Sequence, residues 1–152
     1  MQIDDLDRRL LRLTQSDPTA SIPALAKDAR LSVAVARRRL DRLEATGVLK
    51  GRQAVIDWAV LGYAVEVSLR ITIDKTQSQG FDQFLAAARD IPEVIEIQTF
   101  LGRVDVRLSV LARDMAHYQS LYRERILTLP HIADIEALMQ VASVKSDEGL
   151  PI

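Results

Sequence analysis

Apolar residues recur at helical spacing three times within the first 45 positions, and from residue 65 they switch to strict alternation. Leu6, Leu10, Leu11 and Leu13 predict a helix that opens at Asp4 and stops at Asp17-Pro18. The Asp4 carboxylate suits an N-cap, and proline disfavours helical backbone at the residue before it. Ser21 caps a second short helix with Pro23 in its first turn and Leu25 and Ala26 on its buried side. Ser32 caps a third, whose stripe is Ala36, Leu40 and Leu43 and whose end is marked by Gly47. Only Arg30-Leu31 separate the second helix from the third, so the two meet at a sharp angle, as in a helix-turn-helix. Val48 to Ile56 reads as two short strands around Gly51, a hairpin or wing.

Beyond residue 62 the pattern changes class. Val65, Val67, Leu69, Ile71 and Ile73 alternate with Glu66, Ser68, Arg70 and Thr72, the signature of a strand with one buried face. Phe81, Phe84, Leu85 and Ala88 follow at helical spacing up to Ile91-Pro92. Val94–Leu101 and the run Val104, Val106, Leu108 and Val110 predict two more strands joined by a tight turn at Gly102-Arg103. Asp114 caps a helix carrying Met115, Tyr118, Leu121, Tyr122 and Ile126, and Ile135, Ala137, Met139 and Val141 mark a last strand. The order βαββαβ is that of a ferredoxin-like domain. Two helices cover one face of such a sheet. The other is expected to show Glu66, Ser68, Arg70, Gln98, Phe100, Asp105, Arg107, Ser109, Glu136, Leu138 and Gln140.

Charge separates the two halves. Residues 1–60 hold eleven Lys/Arg against eight Asp/Glu, a net of +3, whereas residues 61–152 hold nine against thirteen, a net of −4. On the third helix Ala34, Arg38, Asp41 and Arg42 point away from the Leu40/Leu43 stripe, with Arg37 and Arg39 on the flanks. A solvated charged face explains such a run by itself, but a capped helix behind a sharp turn fits a reader of double-stranded DNA. Within a DNA-binding set that also includes Ser32, Ala34 and Arg38 would lie near base edges, while Arg37, Arg39, Arg42, Lys50 and Arg52 would lie near phosphates. Arg39 has an alternative, a pair with a nearby carboxylate.

The remaining composition excludes more than it assigns. Without cysteine there is no disulfide, thiolate metal site or cysteine nucleophile. No run approaches the roughly 20 apolar residues needed to span a bilayer, and the N-terminus lacks a signal-peptide pattern, so a cytoplasmic protein is expected. No nucleophile–base pair, phosphate loop or metal-ligand spacing is recognisable. The expected catalytic residues, metals and cofactors are therefore none. His117 and His131 read as surface histidines.

Three runs in the helical half stand out: Ile3-Asp4-Asp5-Leu6-Asp7-Arg8-Arg9-Leu10-Leu11, Leu25-Ala26-Lys27 and Leu31-Ser32. Arg39-Leu40-Asp41-Arg42-Leu43-Glu44, Gly47-Val48-Leu49-Lys50-Gly51, Leu61-Gly62, Gly102-Arg103-Val104-Asp105 and Leu129-Pro130 follow them in order. With these motifs the whole chain resembles the Lrp/AsnC, or feast/famine, family of regulators. The resemblance implies an α+β chain with a winged helix-turn-helix at residues 1–56, a linker at 57–62 and a ferredoxin-like, RAM-type regulatory domain at 63–152. It further implies dimers built from paired sheet faces, higher oligomers, and an amino-acid or related small-molecule effector held between dimers. The effector residues implied are Leu101, Gly102, Arg103, Val104, Asp105, Leu138, Met139 and Gln140. Leu101, Val104, Val106, Ile135 and Ala137 depart from the hydroxyl and aromatic residues usual in the family, which favours a hydrophobic amino acid or a non-amino-acid metabolite over a small polar effector. Arg103 is either a carboxylate fork or a solvated turn residue, and Asp105 either an α-amino partner or a turn-capping carboxylate. Two alternatives share this architecture: an enzyme like the sirohaem decarboxylases, which needs histidines and aromatics around a tetrapyrrole, and an effector-free architectural DNA-binding protein.

Overall fold

Asp4, Ser21 and Ser32 each turn a side-chain oxygen onto the first turn of a helix. They open α1 (Asp5–Ser16), α2 (Ile22–Ala29) and α3 (Val33–Ala45) in the computed structural model, which describes residues 2–145 and 149–152. The Asp4 cap is reciprocal: Asp7 N–H donates to Asp4 Oδ1 at 2.9 Å, and Asp4 N–H donates to Asp7 Oδ2 at 3.2 Å. Leu10, Leu25, Ala26, Ala29, Ala36 and Leu40 form one buried cluster, its alanines letting the three helices approach closely. Two compact units result, Met1–Val55 with Lys145–Ile152, and Ile56–Val144. Within the first, Leu150 bonds to the Gln15 amide through both its N–H and its carbonyl, at 2.9 Å each. Leu150 is thereby tied to α1.

The two wing strands are not formed: no strand is assigned between α3 and Val65. Val48 and Leu49 spend their N–H groups on the Leu43 carbonyl, both at 3.0 Å, closing α3 after Gly47 at φ 72°. Val55 is 91% exposed, so the second expected strand has no core to lie on. A two-strand hairpin without a third partner is marginal in water.

The second unit pairs β1 (Val65–Ile73), β2 (Val94–Thr99), β3 (Val106–Ala112) and β4 (Ile132–Met139) in the order β2-β3-β1-β4, every pair antiparallel. The buried faces of β1 and β3, Val67, Leu69, Ile71, Val106, Leu108 and Val110, meet Phe84 and Ala88 of α4 (Gly80–Arg89). Tyr118 and Leu121 of α5 (Met115–Leu121) and Ile126 of its π-helical continuation (Tyr122–Ile126) complete the core.

Three expectations change here. β3 begins at Val106 rather than Val104, and the tight turn is a loop of residues 100–105 closed by Phe100 N–H on the Asp105 carbonyl at 2.9 Å. β4 stops at Met139, and Val141 lies outside it, exposed. Asp105 is buried at the strand end rather than displayed on the open face. That face otherwise carries the expected polar groups, several already paired. Arg107 reaches Glu96 at 2.8 Å, Gln98 reaches the same carboxylate at 2.9 Å, and Arg70 lies 3.7 Å from Glu136.

Candidate nucleic-acid interface and ligand hairpin

The cap, the stripe and the turn before it decide which side of α3 is available. Ser32 Oγ accepts from Val35 N–H at 3.3 Å, so its hydroxyl is held at the start of the helix. Ala36, Leu40 and Leu43 are buried, which turns Ala34, Arg37 and Arg38 outward. Neither Arg37 nor Arg38 has a hydrogen-bond or ion-pair partner among the described residues, so both guanidiniums are free to meet a ligand.

Arg39 and Arg42 are not free. Asp7, at 0% exposure, sits between α1 and α3 and accepts from Arg39 Nη1 at 2.8 Å and from Arg42 Nη2. Arg39 also reaches Asp4 at 2.8 Å. The Asp7 N–H and then Arg39 hold the Asp4 carboxyl below its ordinary range. Arg39 therefore fastens α3 to α1, through the carboxylate pairing that the sequence left open for it. Arg42 keeps an exposed side chain while tied at one end. The sequence carried a usable signal for Asp7: it stands three residues before Leu10, on the buried stripe, where an unpaired carboxylate would be costly. Lys50 and Arg52 are exposed on the irregular segment after α3, without the hairpin frame expected to present them.

In the loop between β2 and β3, Leu101 is fully exposed, Gly102 has φ 152°, and Arg103 points to solvent. Thr72 Oγ1 donates to the Arg103 carbonyl at 3.0 Å, latching the loop to β1. Asp105 makes the second latch: Oδ2 accepts from Ile73 N–H at 2.9 Å, and Oδ1 lies 3.1 Å from Lys75 Nζ. Asp105 thus anchors the loop to the end of β1.

The Ile73 N–H, and then Lys75, hold the Asp105 carboxyl below its ordinary value. A depressed folded-state pKa means that the latch contributes fully above the unfolded value, and that this contribution is lost as pH falls through the lower folded value. Protection of the Ile73 amide against hydrogen exchange, corrected for intrinsic rates, should therefore persist at neutral pH and collapse only well below about pH 4. Protection that survives full protonation would mean the carboxylate does not hold the loop.

The expected effector set does not come together in one chain. Val106, next to the loop, pairs with Ile71, whereas Met139 pairs with Val67 at the opposite end of β1. Four residues of strand separate them by about 13 Å. Leu138 sits on the open face, and Met139 is 49% exposed. Gln140 instead lines a cleft of about 310 Å³ with Trp58, Tyr63, Glu66 and Leu111.

The histidines are half-buried and engaged rather than free at the surface. His117 Nδ1 accepts from Arg113 N–H at 3.2 Å, and His131 Nε2 lies 2.6 Å from Gln83 Oε1. Among the described residues no group of three or more His, Cys, Asp or Glu side chains is placed to hold a metal, and no helix is long and apolar enough to cross a membrane.

Comparison with known proteins gives this geometry a context. Residues 66–150 match the family model of the Lrp/AsnC ligand binding domain, and residues 3–50 match that of a winged helix-turn-helix DNA-binding domain. The chain is 29% identical over 150 residues to the DNA-binding transcriptional activator DecR of Escherichia coli, covering 99% of each. It is 30% identical to the leucine-responsive regulatory protein of Salmonella typhimurium, covering 99% of this chain and 92% of that one. Among solved structures, an AsnC family regulator from Agrobacterium tumefaciens superposes with a TM-score of 0.87 at 30% identity, over 97% and 96% of the two chains. A Neisseria meningitidis transcriptional regulator in complex with L-Met shares the fold, at a TM-score of 0.91 and 22% identity over 99% and 97%.

Proposed function

The chain belongs to the Lrp/AsnC family of DNA-binding transcriptional regulators, and from that premise we propose that α3 reads the major groove of its operator through its N-terminal half. The observation that carries the assignment is the division of the α3 arginines. Asp4 and Asp7 consume Arg39 and restrain Arg42, which leaves Arg37 and Arg38 beside Ala34 on the exposed side. On this reading Arg38 makes a bidentate contact to guanine and Ala34 touches a thymine methyl. Arg37, Arg42, Lys50 and Arg52 supply phosphate contacts, which set affinity without reading sequence.

The test is a titration of the DNA upstream of the chain's own gene, and of an unrelated duplex, across a range of salt. Arg38→Ala should cost about 1–3 kcal/mol on the specific site and relax one base position. Lys50→Ala should weaken both duplexes alike and flatten the salt slope. Parent-like binding of both duplexes by Arg38→Ala would remove that residue from the reading face.

The second unit binds an amino acid or related metabolite and associates with further copies. Leu101–Asp105 and Leu138–Gln140 lie at opposite ends of one sheet, so an effector that touches both requires a second copy to bring its own strand to the loop. Phe100 and Leu138 on the uncovered face give that association apolar surface, and two-fold pairing suits a palindromic operator. Leu101, Val104 and Met139 favour an aliphatic ligand over a small polar one. Because its relatives are named as regulators, we read the chain as a binding protein of the cytoplasm rather than a catalyst.

A further inference from the structure

We propose that Arg30, in the turn between α2 and α3, is a DNA phosphate contact, kept in the turn at the expense of a strained backbone. The proposal rests on the reading of α3 as the recognition helix. Arg30 has φ 58° and ψ 47°, the left-handed region where a Cβ crowds the following carbonyl and glycine is the usual occupant. Only Arg30 and His131 adopt positive φ among the described non-glycine residues. The turn imposes this conformation on whatever residue stands there. Two residues separate Ala29 from the Ser32 cap, and both spend their N–H groups backwards. Arg30 N–H reaches the Lys27 carbonyl at 3.0 Å, and Leu31 N–H reaches that of Ala26 at 2.8 Å.

The side chain, in contrast, has no task within the fold. It is exposed and has no hydrogen-bond or ion-pair partner among the described residues, its exposed neighbour Asp28 included. The carbonyl end of α2, which a cation would otherwise favour, is already served. Arg9 Nη1 donates to the Ala29 carbonyl at 3.3 Å, and Lys27 lies in the last helical turn. Glycine would fill this turn with less strain, so the arginine is explained by something outside the domain. Its position supplies that reason. It stands two residues before the Ser32 cap, at the end of α3 that enters a groove, where phosphates flank the helix. Lys27 of α2 and Arg37 and Arg38 of α3 are likewise exposed and without partners among the described residues.

The experiment uses the full chain with the upstream duplex and an unrelated duplex, each titrated across salt, beside thermal melting of the free protein. Arg30→Gly relieves the left-handed strain, so its melting temperature should be no lower than the parent's. It should nevertheless bind both duplexes roughly 5–10-fold more weakly, with the slope of log K against log salt reduced by about one. Arg30→Lys keeps the charge and the strain, and should retain most of the affinity. Parent-like affinity and slope in Arg30→Gly would overturn the contact, while the Arg38→Ala result in the same titration still judges the reading helix. A lowered melting temperature in Arg30→Gly, with binding lost in Arg30→Lys as well, would assign Arg30 to the fold instead. A parent that binds neither duplex would overturn both readings.

Discussion

Asp7→Ala is expected to cost the N-terminal helical unit about 3–5 kcal/mol, the range for removing one partner of a buried ion pair. The Asp7 carboxylate is fully buried and answers Arg39, Arg42 and the Asp4 N–H together. Its loss leaves the Arg39 side chain, 19% exposed, with Asp4 alone, and Arg39 Nε is already without a partner. A helical unit of this size has only a few kcal/mol to lose, so the variant should populate an unfolded first unit at ambient temperature. Urea unfolding followed by far-UV circular dichroism should show an early transition that carries the helical loss, and DNA binding should fall with it. An unfolding profile that superposes on the parent's would mean that the buried carboxylate contributes nothing net.

Phe84→Ala is expected to cost the second unit a similar amount, about 3–5 kcal/mol, for a different reason. Phe84 is the largest fully buried side chain and joins α4 to the β1–β3 face of the sheet. Truncation leaves a cavity that rigid strands on one side cannot close, so the lost burial and the void add. The transition of the second unit should move to lower urea and bring ligand response and self-association down with it. Helical signal from α1–α3 should stay at the parent's midpoint. A loss below about 1 kcal/mol would indicate that the helix layer collapses onto the sheet and fills the void.

The features legible in the sequence are those decided within one helical turn or one strand. Asp4, Ser21 and Ser32 cap their helices because each partner N–H lies three residues away. β1 falls where strict alternation placed it, since a pleat needs only the residues themselves to separate two faces. The order of these elements, together with the family motifs, was enough for the fold class and for DNA-binding regulation.

Tertiary structure decided what depends on a partner far along the chain. Arg38 and Arg39 are neighbours with the same chemistry, yet a carboxylate 32 residues away takes only the second. For Asp105 the sequence left open an α-amino partner or a turn cap, and the end of β1, also 32 residues away, takes one of its oxygens. The wing strands looked complete as a pattern, but a hairpin needs a surface to pack on; the two segments of the expected effector set lie at opposite ends of one sheet, a separation that residue spacing does not report. Residue type and spacing state what a side chain can do; the free energy of burying or pairing it, set by distant residues, determines whether it is left free to do it.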